Sequence, residues 1–510
     1  MPRILLTITA LLSAVAVAAA CGSEGSSSSG SASLAPAGAL IYGEATLDPS
    51  DDQQAALDAL IEKFPGEGSA RERIRGLLEK AFSESDTNLS FADDIEPWLG
   101  GEVGFFVSSL TPGSDAAGAL LVATDDEGKA EDAIAKAAKG DGKKATYKDH
   151  DYYAFTGNGA AGVVDGWVVL GSLSGFKAAA DTADGGAPIE DDESYTKALA
   201  DAPEERLGFV YFNTPAFVEQ FTKSGNGAAL GPFAGMLKDP VLATLNVDDH
   251  GVRLEAMLPE SLSSMLPIIA DGSDLAAQLP ADAWLALSQP DLGKTIDYFV
   301  DAFGNVAGGR DALAQQLKAA TGLDLDQDVI AWMGDWSLFV RGTTVAELNG
   351  ALVVETNDEA ASGRFIDAIA RLARKASDPD ESVGPLEVEG GGEGVTFHTP
   401  DVPEPIHLFQ RDGKVVLAYG DSAAADALEP GEKLADSQGY KDAQEALGGD
   451  YDLSFYLAFE PIVSLVDSTG AGDDEGWLEV KPYLEPLGAL VAGAEKEGDK
   501  LRSAFGVTVK

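Results

Sequence analysis

Hydrophobic and polar positions follow two alternating patterns along the chain, and each pattern predicts one kind of element. Apolar residues spaced three and four apart predict helices, and short apolar runs between turn residues predict strands. The predicted helices include Ala55–Phe64, Ala70–Phe82, Lys129–Lys139, Ala312–Ala320 and Ala361–Ala376. The predicted strands include Ala39–Ala45, Glu102–Val107, Gly118–Thr124, Trp167–Gly171, Leu207–Phe212, Ala283–Ser288 and Leu453–Phe459. Strands mostly neighbour strands, so the pattern predicts an α+β fold with mainly antiparallel sheets.

The second half of the chain repeats the pattern of the first half in the same order. The segment Asp94–Gly100 around Trp98 has a counterpart in Asp328–Gly334 around Trp332, and each precedes a predicted strand. Further ordered matches are Gly118–Glu127 with Gly350–Glu359, Asp165–Leu170 with Asp412–Leu417, Ser194–Ala198 with Gly439–Ala443, and Leu207–Tyr211 with Leu453–Leu457. Ordered matches indicate an internal duplication. The predicted fold class is therefore α+β with two tandem related repeats, each a mainly antiparallel sheet with packed helices.

The N-terminus has the pattern of a segment that directs export. The apolar run Ile4–Ala20 follows Arg3 and ends in small residues, which is typical of a secretory signal peptide. Three alanines followed by Cys21 resemble the lipobox of bacterial lipoproteins, although Ala18 stands where that motif usually has Leu. The resemblance implies that Cys21 carries a diacylglyceryl group and that the signal peptidase cuts just before it. The alternatives are an ordinary secreted protein and an uncleaved anchor with an incidental cysteine.

These observations predict how the chain is organised. Residues 1–20 are predicted to be the lipoprotein signal peptide, and residues 21–35 a Gly/Ser-rich tether that cannot bury apolar surface. Residues 36–268 are predicted to form the first α+β repeat, and residues 269–510 the second. The folded part is therefore expected to stand close to a membrane surface.

Four segments resemble one known family. They are Ala35–Ala39, Leu279–Ala283, Asp94–Gly100 and its echo at Asp328–Gly334. Together they look like the DUF3352 family, a group of bacterial and often lipobox-bearing proteins with no assigned activity. The resemblance covers most of the mature chain, but its motifs are structural in character. It implies no catalytic residue.

Charge and cysteine content exclude several classes of function. The formal net charge is −50, from 35 Lys and Arg against 85 Asp and Glu. This balance argues against nucleic acid as a partner, because phosphate binding needs clustered Lys and Arg. The single cysteine excludes an intramolecular disulfide framework and a multi-cysteine zinc site.

Two serine patterns suggest nucleophilic chemistry but also have a simple structural interpretation. Ser174 with Lys177, and Ser194 with Lys197, match the S-x-x-K pattern of penicillin-binding proteins. Those proteins also need separate S-x-N and K-T-G elements, and the only approximation here is Lys223–Asn226, whose overlapping residues cannot serve both roles. We therefore interpret both serines as polar helix starts.

Three acidic residues are spaced like ligands in a calcium loop. Asp324, Asp326 and Asp328 alternate as in an EF-hand, but Val329 occupies the position where that loop requires Gly. A helix cap before a core Trp332 is the favoured interpretation. The four histidines are isolated from one another in the sequence and lack the spacing of a zinc site.

The sequence therefore predicts location and architecture rather than a reaction. We expect a non-enzymatic, lipid-anchored module on the extracytoplasmic face of the cell membrane, with Cys21 as the lipidation site. Its expected partners are the membrane, through the anchor, and an unidentified envelope protein or apolar ligand. No cofactor, catalytic residue or metal ligand is predicted. The alternatives are a carrier of lipid or another apolar ligand in the cell envelope, and an envelope hydrolase.

Overall fold

The computed structural model describes residues 30–510 except 67, 85–88, 111–115, 204–205, 226–233, 236, 260–271, 304–308, 377–380, 389–391, 401, 450 and 499. The chain divides into two compact units. Unit 1 comprises the described residues up to Asp249 together with Leu254–Pro259. Unit 2 comprises His250–Arg253 and the described part of Glu260–Lys510. Strand β10 (Gly251–Pro259) is thus shared between the two.

Unit 1 contains an antiparallel sheet. Its strands are β1 (Ile41–Thr46), β2 (Leu99–Ser109), β3 (Ala117–Thr124), β4 (Lys143–Tyr147), β5 (His150–Phe155), β6 (Gly159–Val164), β7 (Trp167–Ser172), β8 (Gly208–Phe212) and β9 (Val241–Asp248). Hydrogen-bonded neighbours run in the order β9-β8-β1-β2-β3-β7-β6-β5-β4, and every pairing in this series is antiparallel. Among the described strands of this series, β4 lies at the outer edge.

Helices cover both faces of the unit 1 sheet. The helices are Asp51–Glu62, Ala70–Glu84, Glu127–Ala137, Leu173–Ala183, Glu193–Ala200 and Thr214–Lys223. Because side chains alternate along a strand, Leu121 packs with Phe176 and Tyr195 on one face. Its neighbour Leu120 packs with Ile134 on the other face. Two apolar layers on one sheet explain why β3 is a continuous apolar run rather than an alternating one.

Unit 2 also contains an antiparallel sheet. Its strands are β11 (Leu285–Gln289), β12 (Met333–Arg341), β13 (Asn349–Thr356), β14 (Ser382–Pro385), β15 (Glu393–His398), β16 (Ile406–Arg411), β17 (Lys414–Tyr419), β18 (Asp452–Ala458), β19 (Leu487–Glu497) and β20 (Lys500–Val509). The order is β20-β19-β18-β11-β12-β13-β17-β16-β15-β14, again with antiparallel pairings. Its helices are Leu292–Phe303, Arg310–Thr321, Glu359–Ala376, Asp421–Asp426, Gln438–Leu447, Phe459–Asp467 and Glu475–Leu484.

The two units confirm the predicted α+β class with antiparallel sheets. Each unit also has a hairpin that an Asp-Gly turn closes. Asp165 and Gly166 join β6 to β7 with φ of 46° and 82°, and Asp412 and Gly413 join β16 to β17 with φ of 52° and 74°. Positive φ at both positions is the requirement of a type I′ turn, which Asp-Gly meets at low cost.

Two short π-helical turns, which the sequence pattern does not predict, lead into β2 and β12. They span Phe91–Ile95 and Leu325–Ile330. In the first, the indole Nε1 of Trp98 donates to the carbonyl of Asp94 at 2.6 Å, and in the second Trp332 donates to Asp328 at 3.2 Å. The Asp94–Gly100 segment and its echo are therefore structural: each aspartate holds a turn that buries a tryptophan.

The folded part begins earlier than the sequence predicts. The predicted tether runs through residue 35, but Ser31–Ser33 forms a 3₁₀ turn whose following residue Leu34 is buried. Ala35 is buried in the same apolar layer as Tyr42. The prediction of a tether was wrong for residues 31–35. Small residues such as Ser and Ala are typical of linkers, yet they also fit closely against a sheet.

Candidate functional site

A carboxyl group inside the unit 1 fold is the strongest candidate site. Glu44 lies in the middle of β1, between Tyr42 and Thr46 on the same face. The register places Phe209 of β8 and Gly104 of β2 on either side of it. This face also carries the apolar layer of Tyr42, so a carboxyl group sits at its margin.

A chain of hydroxyl groups connects Glu44 to the first described residues. The Tyr42 hydroxyl donates to Glu44 Oε2 at 2.9 Å. The Ser31 hydroxyl lies 2.7 Å from the same Tyr42 oxygen. Because Tyr42 uses its proton on Glu44, Ser31 is the donor in this second bond. The side chains of Ser31 and Tyr42 are both fully buried, so the connection is shielded from water.

A second carboxyl group approaches Ser31 from β2. The Ser31 backbone N–H donates to Glu102 Oε1 at 2.7 Å. The close fit depends on Gly104, because a Cβ at that position would lie 2.3 Å from Ser31 Oγ. Glu44 and Glu102 thus hold the same residue from two sides, one through Tyr42 and one directly.

The surroundings of Glu44 disfavour its charge. Burial raises the pKa of Glu44 from its usual 4.5 to about 7, and the neighbouring negative charge of Glu102 adds to the increase. The hydrogen bond from Tyr42 and the positive charge of Arg206 act in the opposite direction. The carboxyl group is therefore poised to gain or lose a proton near neutral pH, which is a property common at functional sites.

Aromatic rings enclose the site. The rings of Tyr42 and Tyr195 meet edge to face with centroids 5.6 Å apart, and Tyr195 meets Tyr211 in the same way at 5.4 Å. Burial raises the pKa of Tyr42 well above its usual value, and the charge of Glu44 raises it further. These phenols stay protonated, so Glu44 is the group whose charge changes in the neutral range. The arrangement can hold and release a proton.

The predicted calcium-like aspartates are occupied by protein partners. Asp324 caps the turn before Trp332 by accepting the backbone N–H groups of Asp326 and Gln327, as the sequence predicts. Asp326 pairs with Arg310, which also binds two further aspartates. In the next turn, Asp328 pairs with Arg364 at 2.7 Å.

The two S-x-x-K serines lie in the first turns of helices. Ser174 belongs to Leu173–Ala183 and Ser194 to Glu193–Ala200. Lys177 Nζ lies 4.9 Å from the centre of the Tyr147 ring, in a cation–π contact. The interpretation as polar helix starts is confirmed.

One hydroxyl–histidine–carboxylate series occurs in unit 2. His407 Nδ1 lies 3.0 Å from Thr396 Oγ1, and His407 Nε2 lies 3.0 Å from Asp421 Oδ1. Because a carboxylate only accepts, His407 donates to Asp421 through Nε2, and Thr396 Oγ1 also accepts the Glu387 N–H. Thr396 and His407 are both 0% exposed, so no substrate reaches this hydroxyl. The series joins β15 and β16 to the start of Asp421–Asp426.

Within the described part of the chain, no group of three or more His, Cys, Asp or Glu residues is arranged to hold a metal ion. In the same residues, no helix combines the length and apolar character needed to cross a membrane. Cys21, the predicted lipidation site, lies outside the described residues.

Sequence reasoning missed the Glu44 site. One signal was available: in the predicted strand Ala39–Ala45, Glu44 falls on the same side as Tyr42, a position that alternation assigns to the interior. A charged residue at an inward position is informative, because buried carboxyl groups are rare without partners. No local sequence pattern indicates that Tyr42 contacts Ser31, or that Ser31 contacts Glu102.

Comparison with protein families gives a match over nearly the whole chain. The model of the family described as "Protein of unknown function (DUF3352)" matches residues 4–471, nearly the whole chain. The chain belongs to the DUF3352 family. Comparison with curated proteins gives no match.

Similar solved structures are remote from this DUF3352 protein. Crystal forms IV and I of TP0453 match with TM-scores of 0.25 and 0.26 at 10% sequence identity. Each match covers 46% of this chain, and 82% and 79% of the respective TP0453 chains.

Proposed function

We propose that this DUF3352 protein is a lipid-anchored, extracytoplasmic binding module, not an enzyme, built from two tandem copies of one α+β unit. The anchor is a lipid on Cys21. The folded units present a surface to an envelope partner. The following observations support the parts of this proposal.

The strand order supports the duplication. The series β9-β8-β1-β2-β3-β7-β6-β5-β4 of unit 1 and β19-β18-β11-β12-β13-β17-β16-β15-β14 of unit 2 correspond strand by strand. The Asp94–Trp98 and Asp328–Trp332 hydrogen bonds occupy the same place, just before β2 and β12, which are the fourth strands of the two series. Shared connectivity together with a shared local motif favours two copies of one unit over two unrelated ones.

The fold begins only a few residues after Cys21, so the proposed anchor would hold unit 1 close to the membrane. Gly30 is already part of the structure that Ser31 and Glu102 hold together, and it lies nine residues after Cys21. Nine residues span at most roughly 30 Å when extended. A lipid on Cys21 would therefore keep unit 1 within that distance of the bilayer surface.

Exposed apolar side chains on one helix support a binding role. In Glu475–Leu484, Leu478, Val480 and Tyr483 are each at least half exposed, and no residue of this helix is buried. Val480 and Tyr483, three residues apart, share one face of the helix, and neighbouring exposed apolar side chains can mark interaction surfaces. A surface of this kind fits a protein partner better than a reaction site.

The anchor is tested by replacing its only candidate residue. The Cys21→Ser variant is expected to leave the membrane fraction and appear in the soluble fraction, because the thiol that would carry the lipid is gone. The matched control Ser28→Ala is expected to stay with the membranes. Measurement is by fractionation and immunodetection, with intact mass giving the added lipid. A Cys21→Ser protein that remains in the membrane fraction would show that the lipid anchor is wrong.

The carrier alternative is tested separately. Native mass spectrometry of the detergent-free Cys21→Ser protein is expected to show no co-purified lipid and no mass shift when phospholipid is added. A stoichiometric lipid adduct would replace the binding-module proposal with a lipid carrier.

A further inference from the structure

The N-terminal residues Gly30–Ser33 are held on unit 1 by polar contacts rather than by large apolar side chains. Ser31 makes the contacts that cross to the sheet, to Glu102 and to Tyr42. Ser33 bonds only locally, to the carbonyl of Gly30. Leu34, by contrast, is buried in the core. Ala32 is the one apolar side chain in Gly30–Ser33 and is buried in the same layer as Leu34, so detachment costs little apolar burial once the Ser31 contacts weaken.

We propose that Ser31, Tyr42, Glu44 and Glu102 form a proton-controlled latch. The latch holds Gly30–Ser33 on β2 when Glu44 is protonated and loosens when Glu44 is ionised.

The charged groups around Glu44 determine which of its protonation states opens the latch. Glu44 faces Tyr42 on its own strand, Glu102 on β2, Tyr195 on Glu193–Ala200, and Arg206 just before β8. When Glu44 is ionised, its charge adds to that of Glu102 in a partly dehydrated place, with Arg206 as the single cation among these groups. Detaching Ser31 admits water and relieves the repulsion. When Glu44 is protonated this repulsion is absent, and the closed latch is favoured.

The same polar element is absent at the corresponding point of unit 2. The register pairs Ala286 of β11 with Tyr456 as it pairs Tyr42 of β1 with Tyr211. Two residues further along, β1 has Glu44 whereas β11 has Ser288, which bonds to Ser273 at 2.7 Å. There two buried serine hydroxyls bond to each other, without a carboxyl group between them. The carboxyl group is therefore a special feature of the unit that follows the N-terminal segment.

The latch has a consequence for the anchored protein, and this step rests on the proposed function. Opening the latch adds four residues, Gly30–Ser33, to the span between Cys21 and the first fixed residue, Leu34. Four residues extend the reach by about 14 Å. The distance that unit 1 can stand off the membrane would then change with local pH.

Hydrogen exchange of the Ser31 amide tests the latch in the full-length mature chain in detergent micelles. Protection factors, which correct for the intrinsic pH dependence of exchange, are compared at pH 6 and pH 8. We expect protection to fall by up to about tenfold between them, since an opened Glu44 regains its ordinary pKa. Glu44→Gln is expected to stay protected at both pH values. Gly104→Ala, whose Cβ would displace Ser31 Oγ, is expected to be unprotected at both.

Three results would overturn the latch. They are equal Ser31 protection at pH 6 and pH 8 in the unsubstituted chain, a pH-dependent loss that persists in Glu44→Gln, and full protection in Gly104→Ala. The exposed Glu131→Gln variant serves as the charge-matched control and is expected to behave like the unsubstituted chain. None of these readouts depends on the lipid, so a failure of the latch is distinct from a failure of the anchor.

Discussion

Trp332→Ala lowers the free energy of unfolding of unit 2 by about 3–5 kcal/mol, because it removes a large buried side chain and leaves a cavity. Trp332 is 2% exposed and packs against Phe365 with ring centroids 5.6 Å apart. The substitution also removes the indole donor that satisfies the Asp328 carbonyl. The loss is measured by urea denaturation, with tryptophan-independent circular dichroism as the signal.

The same change at a partly exposed tryptophan provides the control. Trp477 lies on the helix Glu475–Leu484, which has no buried residue, and its Nε1 donates to Asp467. Trp477→Ala is expected to cost about 1 kcal/mol or less. If the two variants lose similar stability, the Trp332 turn does not have the role in the core that its burial indicates.

Glu44→Gln makes unit 1 more stable above neutral pH and removes part of its pH dependence. The folded state raises the pKa of Glu44 from 4.5 to about 7, which corresponds to at most about 3 kcal/mol. Gln keeps an oxygen that can accept the Tyr42 hydrogen bond while it carries no charge. The gain is therefore expected to approach 1–3 kcal/mol at pH 8.

The direction in which stability changes with pH follows from proton binding by Glu44. Because the pKa of Glu44 is raised in the folded state, its contribution is fully favourable below about pH 4.5 and is lost as pH rises through 7. The difference in unfolding free energy between Glu44→Gln and the unsubstituted chain should therefore grow from pH 5 to pH 8. Denaturant titrations at several pH values measure it, with Glu131→Gln as the control. A difference that is constant with pH would mean that Glu44 does not titrate in this range.

Much of the fold was predictable because amphipathic periodicity records which side of an element is buried. The helix predicted over Ala70–Phe82 is observed at Ala70–Glu84, and the strand predicted over Gly118–Thr124 at Ala117–Thr124. The helix predicted to begin at Ala55 begins earlier, at Asp51. There a capping box of Ser50 and Gln53 overrides the apolar pattern, since capping satisfies backbone donors that apolar spacing does not reveal.

The candidate site was less predictable because its contacts join distant positions. Alternation along β1 places Glu44 beside Tyr42, but nothing local indicates that Ser31 crosses over Gly104 to contact Tyr42 and Glu102. The interaction depends on the absence of a Cβ at Gly104, on the register of β1 with β2, and on a segment whose composition is typical of linkers. Such a site is visible only after the strands are paired.

The two sheets end in strands that resist extension by another chain. In the described series, β4 is outermost in unit 1 and exposes Lys143 and Lys144, while β14 is outermost in unit 2 and ends at Pro385. Lysines repel an incoming edge strand of like charge and need water, and proline lacks the N–H that a new strand would use. These ends therefore disfavour open-ended sheet growth by the addition of further chains. At high protein concentration they keep neighbouring molecules from joining into one continuous sheet.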